Sequence, residues 1–363
     1  MKYKWYETLN TYIWIFNVGR GLAIFIRTPL NHGILYDLGC SDYFKPIEFL
    51  KENIIPKLDK YNGFTLIQIL ISHPHADHIL DIKSLIPVEG ENLLLYPALH
   101  TCPHDKTEGS AEPEVINWDR IKNPEGSDEL IEVYKTLYAN RNLPLQTIEY
   151  KLTRSVPNLE YGLFYIRPPV VEKIHPANDQ DYGNGISLVI FFRYGKHTLL
   201  IPGDITPSVL SHILEEREGL EKRYTVFDLA HAREHPEWHC KTSNQPSLKE
   251  LLSRYGLSIL IAPHHGLESG FSDDLYSACK RGKPDLVVIS DKRHLREIDG
   301  RIDWRYQSEY GANGMYVDIE GKRKFRYSVS TREGHHILII FRGTGRYPDV
   351  HLNKSPDELL NLS

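Results

Sequence analysis

Cysteine and methionine are scarce: the 363 residues hold four Cys and two Met. Cys40, Cys102, Cys240 and Cys279 stand far apart, with no Cys-x-x-Cys pair. That argues against a disulfide framework and for free thiols in a reducing compartment, so the expected location is the cytoplasm. No run of about 18 apolar residues occurs, which excludes a membrane-spanning helix from the sequence. The opening stretch, MKYKWYETLNTYIWIF, is broken by Glu7, Asn10 and Thr11 and carries no small-residue cleavage site, so no signal peptide is expected. Charge of one sign is lacking too. There are 43 basic and 48 acidic residues, a formal net charge of -5. This excludes a protein coated in positive charge but leaves room for a local basic surface. Low-complexity segments and short-period repeats are absent, and a hydrophobic content of 41% supplies a globular core.

What is present reads as two β-rich halves with helices. Residues 11–18, 22–28 and 33–38 are short apolar runs parted by glycine and proline, and residues 65–72 form a buried strand that ends at His73. A helix is expected over 44–58. Further strands are expected at 162–168, 186–194, 197–202, 257–262 and 285–290, with closing strands near 324–330 and 335–342. Helices are expected near 127–140, 206–218 and 272–281. The predicted fold class is an α/β, four-layer αββα sandwich, with helices outside two packed sheets. The chain reads as one domain, 1–363, with polar insertions or caps at 103–147 and 222–247. The tail from 350 is expected to fray.

Histidine is the informative excess. Of 18 His, three fall with an aspartate in Ser72-His73-Pro74-His75-Ala76-Asp77-His78. Imidazole and carboxylate at this density, just after a buried strand, suit a divalent metal ion. Asp204 follows the apolar run HTLLI, and alone it reads as either a helix N-cap or a ligand. His264 and His265 follow SILIA, and alone they read as ligands or plain loop. All three clusters stand at carboxyl ends of buried strands, which converge on one edge in layered α/β folds. Asp37 reads as either a partner of a ligand histidine or a turn residue, and Asn184 as either a substrate contact or a turn cap.

His73-x-His75-x-Asp77-His78 resembles the HxHxDH signature of the metallo-β-lactamase fold. Asn17-Val18-Gly19-Arg20-Gly21 with the strands after it resembles the amino-terminal strands of the ComEC-type competence proteins. Asn184-Gly185-Ile186-Ser187-Leu188-Val189, LLIPGD ending at Asp204, and APHHG ending at Gly266 resemble further motifs of that branch. The departures are Arg20 and Leu22, where the family usually has Gln and Asp, and Leu267, where it has Ser. A late Asn-x-Gly-His-Pro motif is replaced by Asp291–Arg296.

The resemblance implies a metal-dependent phosphodiester hydrolase, a nuclease acting on DNA through a hydroxide activated by two divalent ions, zinc or manganese. It implies His73 and His75 on the first metal, Asp77 and His78 on the second, Asp204 between them, and His265 as the last histidine ligand. The third histidine of the first metal is open among His100, His104, His175 and none. Asp77, His264 and Asn184 are the expected catalytic residues beyond metal binding: Asp77 to orient water, His264 and Asn184 to contact substrate. The alternatives are a small-substrate phosphodiesterase, of cyclic nucleotide or phosphorylcholine type, and an effector domain licensed by a protein partner from the same defence system. Nucleic acid is the expected partner, with no membrane.

Basic clusters at Lys280–Lys283, Lys292–Arg296 and Lys322–Arg326 read as either a phosphate-tracking surface or solvated faces, and Trp304, Tyr306 and Tyr310 as either base-stacking or packed rings. His231, His235 and His239 read as a loop or lid, and His335 and His336 as structural.

Overall fold

Residues 13–16 show how one strand serves two layers. Ile13 and Ile15 join one buried cluster and Trp14 and Phe16 another, because successive side chains leave a strand on opposite faces. Leu163 and Tyr165 against Phe164 and Ile166 repeat the pattern in the second half of the chain. A computed structural model describes residues 9–29, 31–57, 65–85, 99–101, 116–139, 159–226, 245–292, 301–345 and 347–362.

In chain order the strands are β1 (Asn10–Ile15), β2 (Ile24–Arg27), β3 (His32–Tyr36), β4 (Thr65–Leu70), β5 (Leu99–Thr101), β6 (Leu159–Ile166), β7 (Val189–Tyr194), β8 (His197–Ile201), β9 (Leu220–Val226), β10 (Ile259–Ile261), β11 (Leu286–Ile289), β12 (Met315–Ile319), β13 (Lys322–Arg326), β14 (Ser328–Ser330), β15 (His336–Arg342) and β16 (Asp349–Asn353). Among the described residues they form a nine-stranded sheet, β13-β12-β16-β15-β1-β2-β3-β4-β5, and a seven-stranded sheet, β14-β11-β10-β8-β7-β6-β9. One apolar cluster lies between the sheets, and one lies under the helices on each outer face. This is the four-layer α/β sandwich that the sequence predicts. β3 and β4 run parallel, as do β8, β10 and β11, so their carboxyl ends gather on shared edges.

Several local expectations give way. The tail does not fray: β16 pairs with β15 and the helix Pro356–Leu360 buries Leu359 and Leu360, because the alternating Val350 and Leu352 supply an inward face. Residues 222–226 are the end of β9, paired with β6, and not irregular. The predicted helix over 44–58 splits into an α turn, Pro46–Phe49, and a π turn, Leu50–Ile54. Residues 315–319, expected within an insertion that follows Arg296 and runs to about residue 320, are β12, inside the nine-stranded sheet. Of the expected insertion at 103–147, residues 116–139 are described. Ile116 packs on the outer face of the second sheet and Tyr134 on that of the first. His104, His231, His235 and His239 lie outside the described residues, and of His100 only the backbone, in β5, is described.

Two buried imidazoles outside the histidine cluster make stability pH-dependent. Burial pushes both His197 and His336 down to about 4. The His336 ring accepts from the Asn17 N–H at 3.2 Å, which requires an unprotonated Nδ1. The folded values lie below the unfolded value of about 6.5. Their contribution is therefore complete above about pH 6.5 and is lost as pH falls toward 4, by up to roughly 3 kcal/mol per ring. Urea midpoints should drop between pH 7.5 and 5, and less steeply in His197→Gln. An unchanged slope in that variant would contradict this.

Candidate metal centre

Five strand ends build the site. Asp37 follows β3, Ser72 and His73 follow β4, Asp204 follows β8, His264 and His265 follow β10, and Ser290 follows β11. A single helical turn, Ala76–Ile79, adds Asp77 and His78. Asp37, His264 and His265 have φ of 56°, 47° and 57°, the left-handed region that costs a non-glycine residue about 1–2 kcal/mol. Glycine is required where the chain crosses the motif. A Cβ on Gly21, at φ +112°, would lie 2.1 Å from the Asp77 carbonyl oxygen, and one on Gly183 would lie 2.5 Å from His75 Nε2.

Hydrogen bonds on the far side of three rings assign their tautomers. Buried Asp37 accepts from the Ser72 N–H at 2.6 Å, from the Ser72 hydroxyl at 2.8 Å and from His78 Nδ1 at 2.7 Å. The Ser72 hydroxyl has thus spent its proton on Asp37, and at 2.9 Å it accepts from His73 Nδ1. His265 Nδ1 donates to the Ser290 carbonyl at 2.9 Å. In each ring Nδ1 carries a proton, so Nε2 is the atom aimed into the site. His78 Nε2 lies 3.4 Å from Asp204 Oδ2, and His265 Nε2 lies 3.3 Å from that oxygen and 3.6 Å from Asp77 Oδ2. Neither Nε2 has a hydrogen-bond partner. His73 Nε2 faces His75 Nδ1 at 2.9 Å.

Buried acceptors that face one another call for a cation. Ligand atoms of His73, His78 and Asp204 lie within 4.8 Å of one another, and so do those of Asp77, His78 and His265. The donor set of imidazole nitrogen and carboxylate oxygen fits divalent metal ions. The titration pattern has the same origin. Burial opposes charge on His78, yet Asp204, Asp37 and Asp77 hold the ring well above its ordinary value. Burial also opposes charge on His265, and Asp204 and Asp77 push it up to about 10. Against their own burial, Asp204 is held well below the usual carboxylate range by His265 and His78, and Asp77 by His78 and His265. Burial keeps His73 and His75 neutral, the latter down at about 4.

The structure thus brings together His73, His78, Asp204, Asp77 and His265. His75 stands beside them through His73, outside both three-residue sets. Asp204 caps no helix: the helix Pro207–Leu214 starts after Thr206. Asn184 lies in the last turn of the helix Asp179–Gly185, and its amide lies 3.5 Å from His264 Nε2, while Ser269 holds His264 Nδ1 at 2.8 Å. Burial lowers the His264 pKa. His175 turns away to Thr206 and Ser208 and joins neither set. Arg20 reaches the rim, its Nε 3.8 Å from Asp77.

Asp37 braces a ligand histidine, one of the two roles its sequence position allowed, and sequence reasoning missed the rest of the bracing. Ser72 was inside the motif and could have been suspected from its place before His73. Ser187, which accepts from the Asp204 N–H at 3.2 Å, lay inside the Asn184–Val189 motif without a role assigned to it, and the Ser290 carbonyl gave no signal. Asn123 accepts from the Ala76 N–H at 2.7 Å and donates to the Pro74 carbonyl at 3.1 Å, tying a distant polar segment to the motif. Of the basic clusters, Lys280 and Lys283 are spent on the Arg254 and Glu309 carbonyls. Lys292 sits next to Gly19, and residues 293–296 lie outside the described residues. Tyr306 is packed in the core, whereas Trp304 and Tyr310 are exposed.

Residues 16–137 match the family model of the metallo-beta-lactamase superfamily. That stretch carries β2–β5 and the whole His73–His78 motif. No curated protein matches the chain. Among the described residues, no helix is long and apolar enough to cross a membrane.

Proposed function

We propose that this protein is a metal-dependent phosphodiester hydrolase, a nuclease with DNA as its substrate. The observation that carries the reading is the buried cluster in which His73, His78 and His265 are tied by Nδ1 while Nε2 faces the site, in the company of Asp204 and Asp77. His73, His75 and Asp204 would hold one divalent ion, and Asp77, His78, His265 and Asp204 a second. Zinc suits the donors, and manganese tolerates them. When bound, two such ions supply Lewis acidity and lower the pKa of water.

The chain's own residues supply the rest. Arg20 is half exposed at the rim and offers a guanidinium to a phosphate oxygen. Asp77 remains ionised there and orients water. His264, kept neutral by burial and fixed between Ser269 and Asn184, offers an Nε2 lone pair that can take up a proton from the attacking water, the general-base role. The Asn184 amide, when it turns from His264, donates to substrate.

Purified protein should hydrolyse bis(p-nitrophenyl) phosphate and linear, circular or single-stranded DNA with zinc or manganese present, and should lose both activities to a chelator. Arg20→Ala should raise KM about tenfold with kcat within about twofold, the signature of lost ground-state phosphate binding. A fall in kcat alone would remove Arg20 from that role. No turnover of any phosphodiester under any metal would overturn the reading.

A further inference from the structure

The most concentrated charge in the molecule lies away from the metal centre. All five residues of β13, Lys322-Arg323-Lys324-Phe325-Arg326, are exposed. In a chain of net charge -5, this is four cations in five residues. None of the four has a carboxylate within ion-pair distance among the described residues. Arg323 instead stacks on the Tyr316 ring at 4.5 Å, and Arg326 donates to the Phe325 carbonyl.

Among the described residues β13 is an edge of the nine-stranded sheet, paired with β12 alone. The register places Tyr316 opposite Phe325, with Arg323 on the same face, and turns Lys322, Lys324 and Arg326 to the other face. Tyr316 and Phe325 remain 57% and 44% exposed and meet edge to face at 5.5 Å. On their side the strand borders a groove of about 1020 Å³ in which Arg281 and Arg342 are paired with Asp285 and Asp349, so Arg323 is the lining arginine without a carboxylate at ion-pair distance among the described residues. Large exposed rings are costly to leave in water, and rings interleaved with cations match a polymer that alternates phosphates with flat bases.

Register also ties the ribbon to the site edge. Tyr36, next to Asp37, pairs with Ile24; Ile24 pairs with Ile15, Ile15 with Ile337, Ile337 with Leu352, Leu352 with Ile319 and Ile319 with Lys322. One row of the sheet thus runs from beneath the metal centre to the first cation of β13, six strand spacings or about 29 Å away.

We propose that the β12–β13 ribbon is a docking surface for single-stranded nucleic acid, whose phosphates follow Lys322, Lys324 and Arg326 and whose bases stack on Phe325 and Tyr316. A single strand is specified because a base can stack on a side chain only when its face is free. The inference deepens the phosphodiesterase reading by naming the form of its substrate, and rests on that reading for its purpose.

The test is fluorescence anisotropy with labelled oligothymidylate of about 20 nucleotides and a duplex of equal length, with probe integrity checked on a gel. The wild-type protein should prefer the single strand. Lys322→Gln, Lys324→Gln and Arg326→Gln combined should weaken binding at least tenfold and reduce the salt slope by about 2, at roughly 0.7 per lost phosphate contact. Phe325→Ala should weaken it about tenfold with the salt slope kept. Circular dichroism and the thermal midpoint verify that each variant folds. Undiminished binding by the triple variant, equal or better binding of duplex, or no binding by wild type would each overturn the proposal, leaving the charges as protection of a free edge. Parallel assay of wild type on bis(p-nitrophenyl) phosphate separates the two failures: turnover without oligonucleotide binding rejects the ribbon alone, and binding without turnover rejects the hydrolase reading alone.

Discussion

Asp204→Asn should weaken divalent metal binding by on the order of 10³-fold and abolish turnover, in a protein that still folds. The substitution keeps shape and removes one charge. Asp204 Oδ2 is the atom shared by His78 Nε2 at 3.4 Å and His265 Nε2 at 3.3 Å, in a residue only 5% exposed. Stripping one partner from a buried charged cluster costs about 3–5 kcal/mol, and about 4 kcal/mol is a thousandfold in affinity. The asparagine nitrogen would also aim a donor at two rings that offer lone pairs. Its two protons satisfy those rings and close the place that a cation would take. Isothermal titration with zinc and with manganese measures the effect. Affinity within about threefold of wild type would remove Asp204 from the centre.

Asp37→Asn should lower metal affinity and kcat/KM by about 10–100-fold, although Asp37 touches no proposed metal position. Its two oxygens accept three hydrogen bonds, from the Ser72 N–H, the Ser72 hydroxyl and His78 Nδ1. An amide has one acceptor oxygen. If that oxygen keeps the Ser72 N–H, the amide nitrogen confronts His78 Nδ1 and drives the ring proton to Nε2, where it blocks the lone pair. The Ser72 hydroxyl is then free to turn, and the His73 tautomer loosens with it. The backbone is not at issue, because φ of 56° is a conformation that asparagine adopts readily. Asparagine thus isolates the hydrogen-bonding role, and Asp37→Ala would add strain to it. The discriminating readout is the pH profile of metal binding, which a merely structural loss would leave unshifted. An unchanged profile and affinity would show that the Asp37 hydrogen bonds do not set the ring tautomers.

The parts of this molecule legible in the sequence are those encoded by neighbours. The His73–His78 motif crowds its imidazoles into a few residues, and Asp204 and His265 each end an apolar run, so strand periodicity alone points all three at one edge. The layer order was legible for the same reason: Ile13 and Trp14, or Leu163 and Phe164, alternate visibly. What was not legible depends on chain crossings. Asp37 sits 35 residues before Ser72, and its choice between a turn and a ring partner is made by the parallel pairing of β3 with β4. The Ser290 carbonyl that orients His265 is backbone and leaves no compositional trace. Arg120 lies in a polar stretch that resembles a cap. It is buried all the same, because it binds Asp179 and the His175 and Asn178 carbonyls and so fastens the chain before Gly183. The tail failed as a sequence reading because its inward face is only Val350, Leu352, Leu359 and Leu360, too few for periodicity to stand out.

The central claim is that the histidine–carboxylate cluster is a centre for two metal ions. Its most direct test is elemental analysis of the purified chain after exposure to zinc or manganese and removal of free ions, beside the same measurement on Asp204→Asn. The account predicts about two equivalents of divalent metal per wild-type chain, removable by chelator, and fewer than about one in the variant. A wild-type chain that folds and retains no metal, or a variant that retains as much as wild type, would contradict it.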